Sequence, residues 1–442
     1  MGSRFGTDGI RGLVGTDVTV ELALALGRAV GHRLGGNGAP VVLGRDTRRS
    51  GEMLGAALTA GLTATGTDVV DLGVLTTPCL VHASAAEPFA AGIMVSASHN
   101  PAPDNGLKVV VDGRKLSDEA EAELESLIDA PDAIAERPNS QLGRLRPDRG
   151  SIDAYRRHLA EAAGDAFGGL RIGIDCANGS AAAIAPELFR SLGADVTVLF
   201  DAPDGTNIND GCGSTHPERL AETVAAAGLD IGMAFDGDAD RLIAIDEHGA
   251  LVDGDAIMGI VALDRLSAGT LRNSLLVTTV MSNGGLERVI TRAGGRMVRT
   301  PVGDRYVFEA MERDGADLGG EQSGHIIFRD RASTGDGILT GIELVRAVRK
   351  AERPLSELAG QIPRLPQVMI NSAASRRDAW QDDPEFSEAV DRATQRMGDR
   401  GRVLVRPSGT EPKIRIMVEG DDAGEIDRIA RELATLAEAR LN

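Results

Sequence analysis

The chain has 442 residues, three of them Cys, with 47 basic against 66 acidic side chains and a formal charge of −19. At roughly 100–200 residues per domain that length means several domains, and 42% hydrophobic residues are enough for a core in each. An acidic balance without a basic stripe excludes nucleic acid as partner, no run approaches the roughly 18 apolar residues of a membrane span, and residues 1–11 hold no signal-peptide core.

A cytoplasmic protein with a small anionic partner and no membrane contact is therefore expected. Cys79, Cys176 and Cys212 are odd in number and far apart, which suits free thiols rather than a disulfide framework or a zinc site. Of the 47 basic residues only Lys108, Lys115, Lys350 and Lys413 are lysines. A lysine kept in an arginine-rich chain suits a position that must release a proton.

In chain order, Phe5-Gly6-Thr7-Asp8-Gly9-Ile10-Arg11-Gly12 is a Gly-rich loop with one arginine. Residues 40–72 then read as strand, polar loop, Ala/Leu-rich helix and second strand, and the unit recurs at 170–199 and 275–298. Three such units predict three α/β domains with largely parallel sheets, whose first-strand loops should carry the function. Within the first, an apolar strand at 93–95 runs into Ser96-Ala97-Ser98-His99-Asn100-Pro101, with Lys108 ten residues after Ser98. Ser98 beside His99 could be a nucleophile or phosphoryl carrier, and the same residues also make good turn chemistry.

The apolar strand 231–235 empties into Asp236-Gly237-Asp238-Ala239-Asp240-Arg241. In an extended loop alternate side chains project together, and three convergent carboxylates suit Mg²⁺ or a similar hard cation. An EF-hand is disfavoured because Arg241 stands where its sixth-position Gly is required. Further on, Gly320-Glu321-Gln322-Ser323-Gly324-His325 offers polar groups suited to sugar hydroxyls, or a hydrogen-bonded turn with a structural His. Past Pro366 the pattern becomes α+β, and Arg406-Pro407-Ser408-Gly409-Thr410-Glu411 with Arg415 has phosphate-binding chemistry, or is a surface β-turn with incidental charge. The expected domains are 1–150, 151–254, 255–366 and 367–442.

Taken in order, these five motifs resemble the α-D-phosphohexomutase superfamily over essentially the whole chain. The resemblance implies three related α/β domains and a smaller C-terminal α+β domain around a central cleft. It implies an intramolecular phosphotransferase that moves phosphate between O6 and O1 of a hexose phosphate through a 1,6-bisphosphate. By the same resemblance Ser98 is the phosphoserine, and Asp236, Asp238 and Asp240 with Ser98 hold Mg²⁺. Lys108 is then the general acid/base, Arg11, His99 and Arg241 stabilise transferred charge, and His325 is a second proton-transfer group. Glu321 and Ser323 would read sugar hydroxyls, and Arg406, Ser408, Gly409, Thr410 and Arg415 would grip the other phosphate.

The first and fourth motifs look most like the amino-sugar branch. That branch interconverts glucosamine 6-phosphate and glucosamine 1-phosphate, feeding UDP-N-acetylglucosamine and cell-wall synthesis. The alternative is a phosphomannomutase/phosphoglucomutase. Glucosamine 1,6-bisphosphate or glucose 1,6-bisphosphate is the expected activator, and a homodimer is compatible with the family.

Overall fold

The computed structural model describes residues 4–6, 8–35, 38–86, 88–148, 150–408 and 411–442. They form two compact units, Met1–Thr279 with Val298–Gly360, and Val280–Met297 with Gln361–Asn442. Among the described residues no helix is long and apolar enough to cross a membrane.

The chain contributes β1 (Ile10–Leu13), β2 (Val41–Arg45), β3 (Val69–Val74), β4 (Ala91–Val95), β5 (Asp104–Val111), β6 (Arg114–Lys115) and β7 (Leu145–Pro147) to a first sheet. Its order is β1-β5-β4-β2-β3-β7, with β6 on β5. Next come β8 (Arg171–Asp175), β9 (Asp195–Leu199), β10 (Ile231–Phe235), β11 (Leu242–Ile245) and β12 (Leu251–Val252), ordered β12-β11-β10-β8-β9. A third sheet takes β13 (Leu275–Thr279), β14 (Arg296–Thr300), β15 (Leu318–Gly320) and β16 (Ile326–Phe328) in the order β14-β13-β15-β16. The strands β4, β10 and β13 are buried at every position, which is why β4 and β10 read as unbroken apolar runs rather than alternating ones.

The sheets are mixed, which corrects the expectation of largely parallel ones. The strands β2, β3 and β4 run parallel, yet β5 returns antiparallel beside β4 and β11 beside β10. The reason is loop length. Residues 96–103 and 236–241 are too few for the crossover of roughly a dozen residues that a parallel neighbour needs. Each becomes a hairpin that holds its polar side chains at the sheet's end.

The helices Val20–Leu34 and Ser50–Ala64 pack against each other through close glycine contacts. A Cβ on Gly27 would lie 2.4 Å from Leu58 O, and one on Gly61 2.3 Å from Leu24 O. Between the helices Thr77–Ala86 and Ser151–Ala163, His82 meets His158 edge-on at 4.8 Å and Tyr155 at 5.7 Å. No partner pattern for these histidines is visible along the chain, because only the packing of two helices brings them together. Tyr155 is buried and its OH donates to Asp336 Oδ2 at 2.7 Å.

The second unit is an antiparallel sheet of β17 (Gln367–Ala373), β18 (Gly401–Pro407) and β19 (Lys413–Gly420), ordered β17-β19-β18. The helices Pro384–Met397 and Ala423–Arg440 cover it through Phe386, Val390, Ile429 and Leu433. The helix Gly284–Arg292 of the third repeat belongs to this unit. Buried Glu419 Oε1 accepts Gly284 N–H at 2.8 Å and Arg402 Nε–H at 2.9 Å, and Arg402 also donates to Val280 O and Ser282 O.

Gly61→Ala should lower stability by about 1–3 kcal/mol, because the backbone of Leu24 cannot recede and the overpacking outweighs the gain in helix propensity. The midpoint of thermal unfolding checks this, and an unchanged midpoint would contradict the close helix contact. Burial, helped by His158, pushes the His82 imidazole down to about 4. A histidine depressed in the folded state is stabilising above its unfolded value and loses that contribution as pH falls toward the folded one. The melting temperature should therefore drop between about pH 7 and about pH 5, and His82→Gln should make the drop shallower.

Candidate active site

Ser98 lies just beyond β4, on a loop whose backbone is strained. Its φ is 52°, in the left-handed region, a conformation that costs a serine about 1–3 kcal/mol and persists only where the surroundings impose it. Ser96 Oγ donates to Asp46 Oδ2 at 2.6 Å and accepts the Ser98 N–H at 3.0 Å. The Ser96 hydroxyl is thus engaged in holding the loop. The Ser98 hydroxyl instead donates to Asp236 Oδ2 at 2.5 Å and lies 3.3 Å from His99 Nδ1.

The aspartate loop is a tight turn rather than the extended segment expected from its alternation. Ala239 has φ 56° and its N–H bonds to Asp236 O, so the turn, not an extended pleat, brings the carboxylates together. Gly237 sits where the serine loop approaches, since a Cβ there would lie 2.6 Å from Ser98 O. Asp236, Asp238 and Asp240 are all buried and offer oxygens within 4.8 Å of one another. Asp238 Oδ1 and Asp240 Oδ1 are buried without a hydrogen-bond partner among the described residues. Three hard oxygen donors, with two carboxylate oxygens lacking a hydrogen-bond donor, fit a divalent cation with hard-ligand preference.

Charge compensation comes from all three sheets. Lys108, on β5 in register with Met94 of β4, places Nζ 2.7 Å from Asp238 Oδ2, 3.1 Å from Asp8 Oδ2 and 3.7 Å from Asp240 Oδ2. Thr77 Oγ1, at the start of its helix, donates to the same Asp238 oxygen at 2.6 Å. His325 is buried, with Nδ1 3.6 Å from Asp240 Oδ2 and Nε2 3.3 Å from Asp304 Oδ2. The Gly335 N–H donates to Nε2 at 3.0 Å, which assigns the proton of a neutral ring to Nδ1, facing Asp240.

Lys115 completes a closed circuit, 2.5 Å from Asp8 Oδ1 and 2.5 Å from Asp304 Oδ2. Alternating charges thus run Asp240, Lys108, Asp8, Lys115 and Asp304, and the His325 ring lies between Asp304 and Asp240 to close the circuit. Asp8, Lys115, Asp304 and Thr77 are site residues that sequence reasoning did not single out. The scarcity of lysine was a signal for Lys115, but nothing in the chain pairs it with residue 304.

The titration shifts follow from this arrangement. Burial pushes the Asp236 carboxyl up, and Asp240 and Asp238 add to the rise. Burial also works against charge on Asp238 and Asp240, yet Lys108 holds the first and His325 with Lys108 the second below the ordinary carboxylate range. Burial, then Arg241 and Arg11, push His99 down to about 4. A neutral His99 accepts from Arg241 Nη1 at 3.0 Å, so its Nδ1 orients that guanidinium rather than supplying positive charge. Arg11 pairs with Asp8, and the buried Nε atoms of Arg11 and Arg241 donate to nothing among the described residues. Two guanidinium donors beside a cation site leave room for an anion.

Glu321 and Ser323 lie on the turn between β15 and β16, where Glu321 Oε1 accepts Gly303 N–H at 3.1 Å and Ser323 is exposed. The groups gathered at the aspartate triad do not lie on the loops of the repeated first strands, contrary to expectation. Asp46 and Asp175 hold backbone amides of their own loops, Arg48 N–H and Ala177 N–H respectively, while Asp46 Oδ2 accepts Ser96 Oγ–H of the serine loop and Ser180 donates to Gly237 O of the aspartate loop.

In the second unit Arg406 of β18 faces Arg415 of β19 directly, and Arg415 Nη2 is 3.4 Å from Ser408 Oγ. Burial lowers the Arg406 guanidinium and Arg415 lowers it further. Like charges opposed across a sheet are destabilising, and neither has a carboxylate within ion-pair distance among the described residues, which suits an anion between them. Gly409 and Thr410 lie outside the described residues.

Four family models, all described as phosphoglucomutase/phosphomannomutase, match in succession: domain I at residues 2–135, domain II at 153–249, domain III at 253–365 and the C-terminal domain at 369–436. A phosphoglucosamine mutase of Symbiobacterium thermophilum is 51% identical over 448 residues, covering 100% of both chains. The crystal structure of a phosphoglucomutase/phosphomannomutase family protein from Burkholderia thailandensis superposes with a TM-score of 0.86 at 28% identity, over 100% of this chain and 99% of that one. The Aspergillus fumigatus N-acetylphosphoglucosamine mutase, solved in complex with GlcNAc-6P and magnesium, shares the fold with a TM-score of 0.71 at 19% identity, over 99% and 96% of the two chains. With half of its residues shared end to end with a relative and each sheet in a matched domain, the chain belongs to the phosphoglucomutase/phosphomannomutase family, among its phosphoglucosamine mutases.

Proposed function

We propose that this enzyme interconverts glucosamine 6-phosphate and glucosamine 1-phosphate, with Ser98 Oγ as the phosphoryl carrier. The observation that carries the reading is the Ser98 hydroxyl 2.5 Å from Asp236 Oδ2, at the edge of three buried carboxylates. Asp236, Asp238 and Asp240, with an oxygen of phosphorylated Ser98, would hold Mg²⁺, which when bound supplies Lewis-acid polarisation of the transferring phosphoryl group.

The chain's own residues do the rest. Phosphorylated Ser98 gives its phosphoryl to the free O1 or O6 hydroxyl of the sugar phosphate: the Ser98 Oγ–P bond breaks as the sugar O–P bond forms, and Lys108, acting as the free amine, takes the hydroxyl proton and passes it to the released Ser98 Oγ. The resulting 1,6-bisphosphate turns around and returns its other phosphoryl to Ser98, while the proton goes back to the oxygen uncovered. His325 is the second group assigned to proton transfer. Arg11 and Arg241, with unused buried Nε–H donors, bind the equatorial phosphoryl oxygens, where charge develops in such transfers. His99 keeps Arg241 in place. Glu321 and Ser323 are assigned to the sugar hydroxyls. Arg406, Ser408 and Arg415 are assigned to the phosphate that is not being transferred, together with Gly409 and Thr410. Glucosamine 1,6-bisphosphate or glucose 1,6-bisphosphate is assigned as the activator.

Intact mass after incubation with glucose 1,6-bisphosphate should show one phosphate, mapped to Ser98. Ser98→Ala should abolish it and lower conversion of glucosamine 6-phosphate by about 10⁴-fold or more, as removal of a covalent nucleophile does. Full activity without phosphate on Ser98 would sink the assignment. Higher kcat/KM on glucose or mannose phosphates than on the glucosamine phosphate would move the chain to the phosphomannomutase/phosphoglucomutase activity. Arg415→Ala should raise the KM for glucosamine 6-phosphate about 10–100-fold, the weight of a charge-assisted contact, while Ser98 still accepts phosphate. Steady-state kinetics beside the mass measurement separates the two effects.

A further inference from the structure

Arg48 stands on the polar loop after β2 and has no role in the reaction as assigned above. Its side chain is nevertheless fully buried, at 0% exposure. A guanidinium has five N–H donors in one plane, and all five are used. Nε donates to Asp46 Oδ2 at 3.0 Å, Nη1 to Pro101 O at 2.6 Å and Asp104 O at 3.0 Å, and Nη2 to Ser98 O at 3.0 Å and Asn100 O at 2.7 Å. Four of the five acceptors are backbone carbonyls of the serine loop. The fifth, Asp46 Oδ2, is also the acceptor of Ser96 Oγ, which in turn accepts the Ser98 N–H. One cation therefore grips the carbonyl of Ser98 directly and its amide through two intermediaries.

A second hold comes from another segment. Asn209 Nδ2 donates to Ser98 O at 2.9 Å and Asn100 O at 3.0 Å. A hairpin loop of this length ordinarily closes on its own turn hydrogen bonds. This loop has two such bonds, Asn100 N–H to Ala97 O and Asp104 N–H to Pro101 O, and in addition the carbonyls of Ser98, Asn100, Pro101 and Asp104 turn toward a buried guanidinium, while Ser98 sits at φ 52° with its hydroxyl on Asp236. Left-handed serine persists only where it is over-determined, and these contacts supply the determination.

We infer that Arg48 is a positioning residue for phosphoryl transfer: it fixes the backbone of the serine loop so that Ser98 Oγ stays aligned beside the aspartate triad, without touching substrate. The inference rests on the reading of Ser98 as phosphoryl carrier. Lysine cannot substitute, because a compact ammonium with three donors does not span five acceptors lying around one plane.

The test uses the full chain with Mg²⁺ and glucose 1,6-bisphosphate, in the parent, Arg48→Lys and Asn209→Ala. Intact mass gives the fraction of Ser98 phosphorylated, and quench flow gives the single-turnover rate of transfer to glucosamine 6-phosphate. Because displacement of a reacting atom by about 1 Å costs on the order of 10²-fold, transfer per phosphorylated chain should fall about 100-fold in Arg48→Lys and about 10-fold in Asn209→Ala, with KM within about threefold. Rates per phosphorylated chain within about threefold of the parent in both variants would overturn the role of Arg48, even if less protein were folded. Should Arg48→Lys not fold, the same comparison on Asn209→Ala decides the question. A parent that transfers phosphate without ever carrying it on Ser98 would overturn the underlying reading and this inference with it.

Discussion

Three carboxylates held within 4.8 Å of one another in a buried site repel strongly, and desolvation adds to the cost of each charge. The first unit is built around that repulsion. Lys108 and Thr77 share one oxygen of Asp238, His325 faces Asp240, and Ser98 donates to Asp236. These partners come from β5, from a helix start, from the β15–β16 turn and from the loop after β4. Removing any one leaves a buried charge short of a partner, which explains why segments so distant in the chain must meet at one point. Two oxygens remain unpaired, and a bound cation is the group that would complete the balance.

The charge circuit extends the same logic outward. Asp8 and Asp304 would each be an added negative charge near a site already rich in them, and Lys115 between the two offsets both. Burial lowers the Lys115 ammonium, while Asp304 raises it. The result is a set of alternating charges whose members constrain one another's side-chain positions. Such a network adds little net stability, since desolvation of its members opposes their attraction. Its consequence is geometric: Lys108 and His325, the two groups assigned to proton transfer, flank the same carboxylate at 3.7 Å and 3.6 Å.

The loops that carry Ser98 and the three aspartates are short and hold left-handed residues, Ser98 and Ala239, and the fold supplies supports behind them. Both hairpins return antiparallel, so each functional side chain sits at most a few residues from a sheet strand. The glycine of the aspartate loop is explained by its neighbour, the Ser98 carbonyl, rather than by any conformational need of its own. The repeated strand–loop–helix units contribute these supports. Two of their own loops, expected to carry the function, lead into groups that hold hairpin carbonyls, Arg48 on Ser98 O and Ser180 on Gly237 O.

Much of the site was legible in the chain because its chemistry is local. An apolar strand running into Asp236, Asp238 and Asp240 announces a cation site, and a strand ending at Ser98 with Lys108 nearby announces transfer chemistry, whatever the turn geometry proves to be. Arg406 and Arg415 were likewise visible as two cations beside a turn, and the structure sets them opposite each other on β18 and β19. By itself, then, the amino-acid order determined the element types, the four-domain α/β plan and the donor groups, since apolar periodicity and side-chain chemistry are properties of short segments. What only the tertiary structure decided is which distant residues share a charge: Asp8 with Lys115, Lys115 with Asp304, His325 with Asp240, and Arg48 with the serine loop. No periodicity encodes those pairings, because they depend on how sheets stack and where hairpins turn back. The same is true of the left-handed Ser98 and Ala239, whose backbone conformation is imposed by contacts across the fold and not by their own preferences.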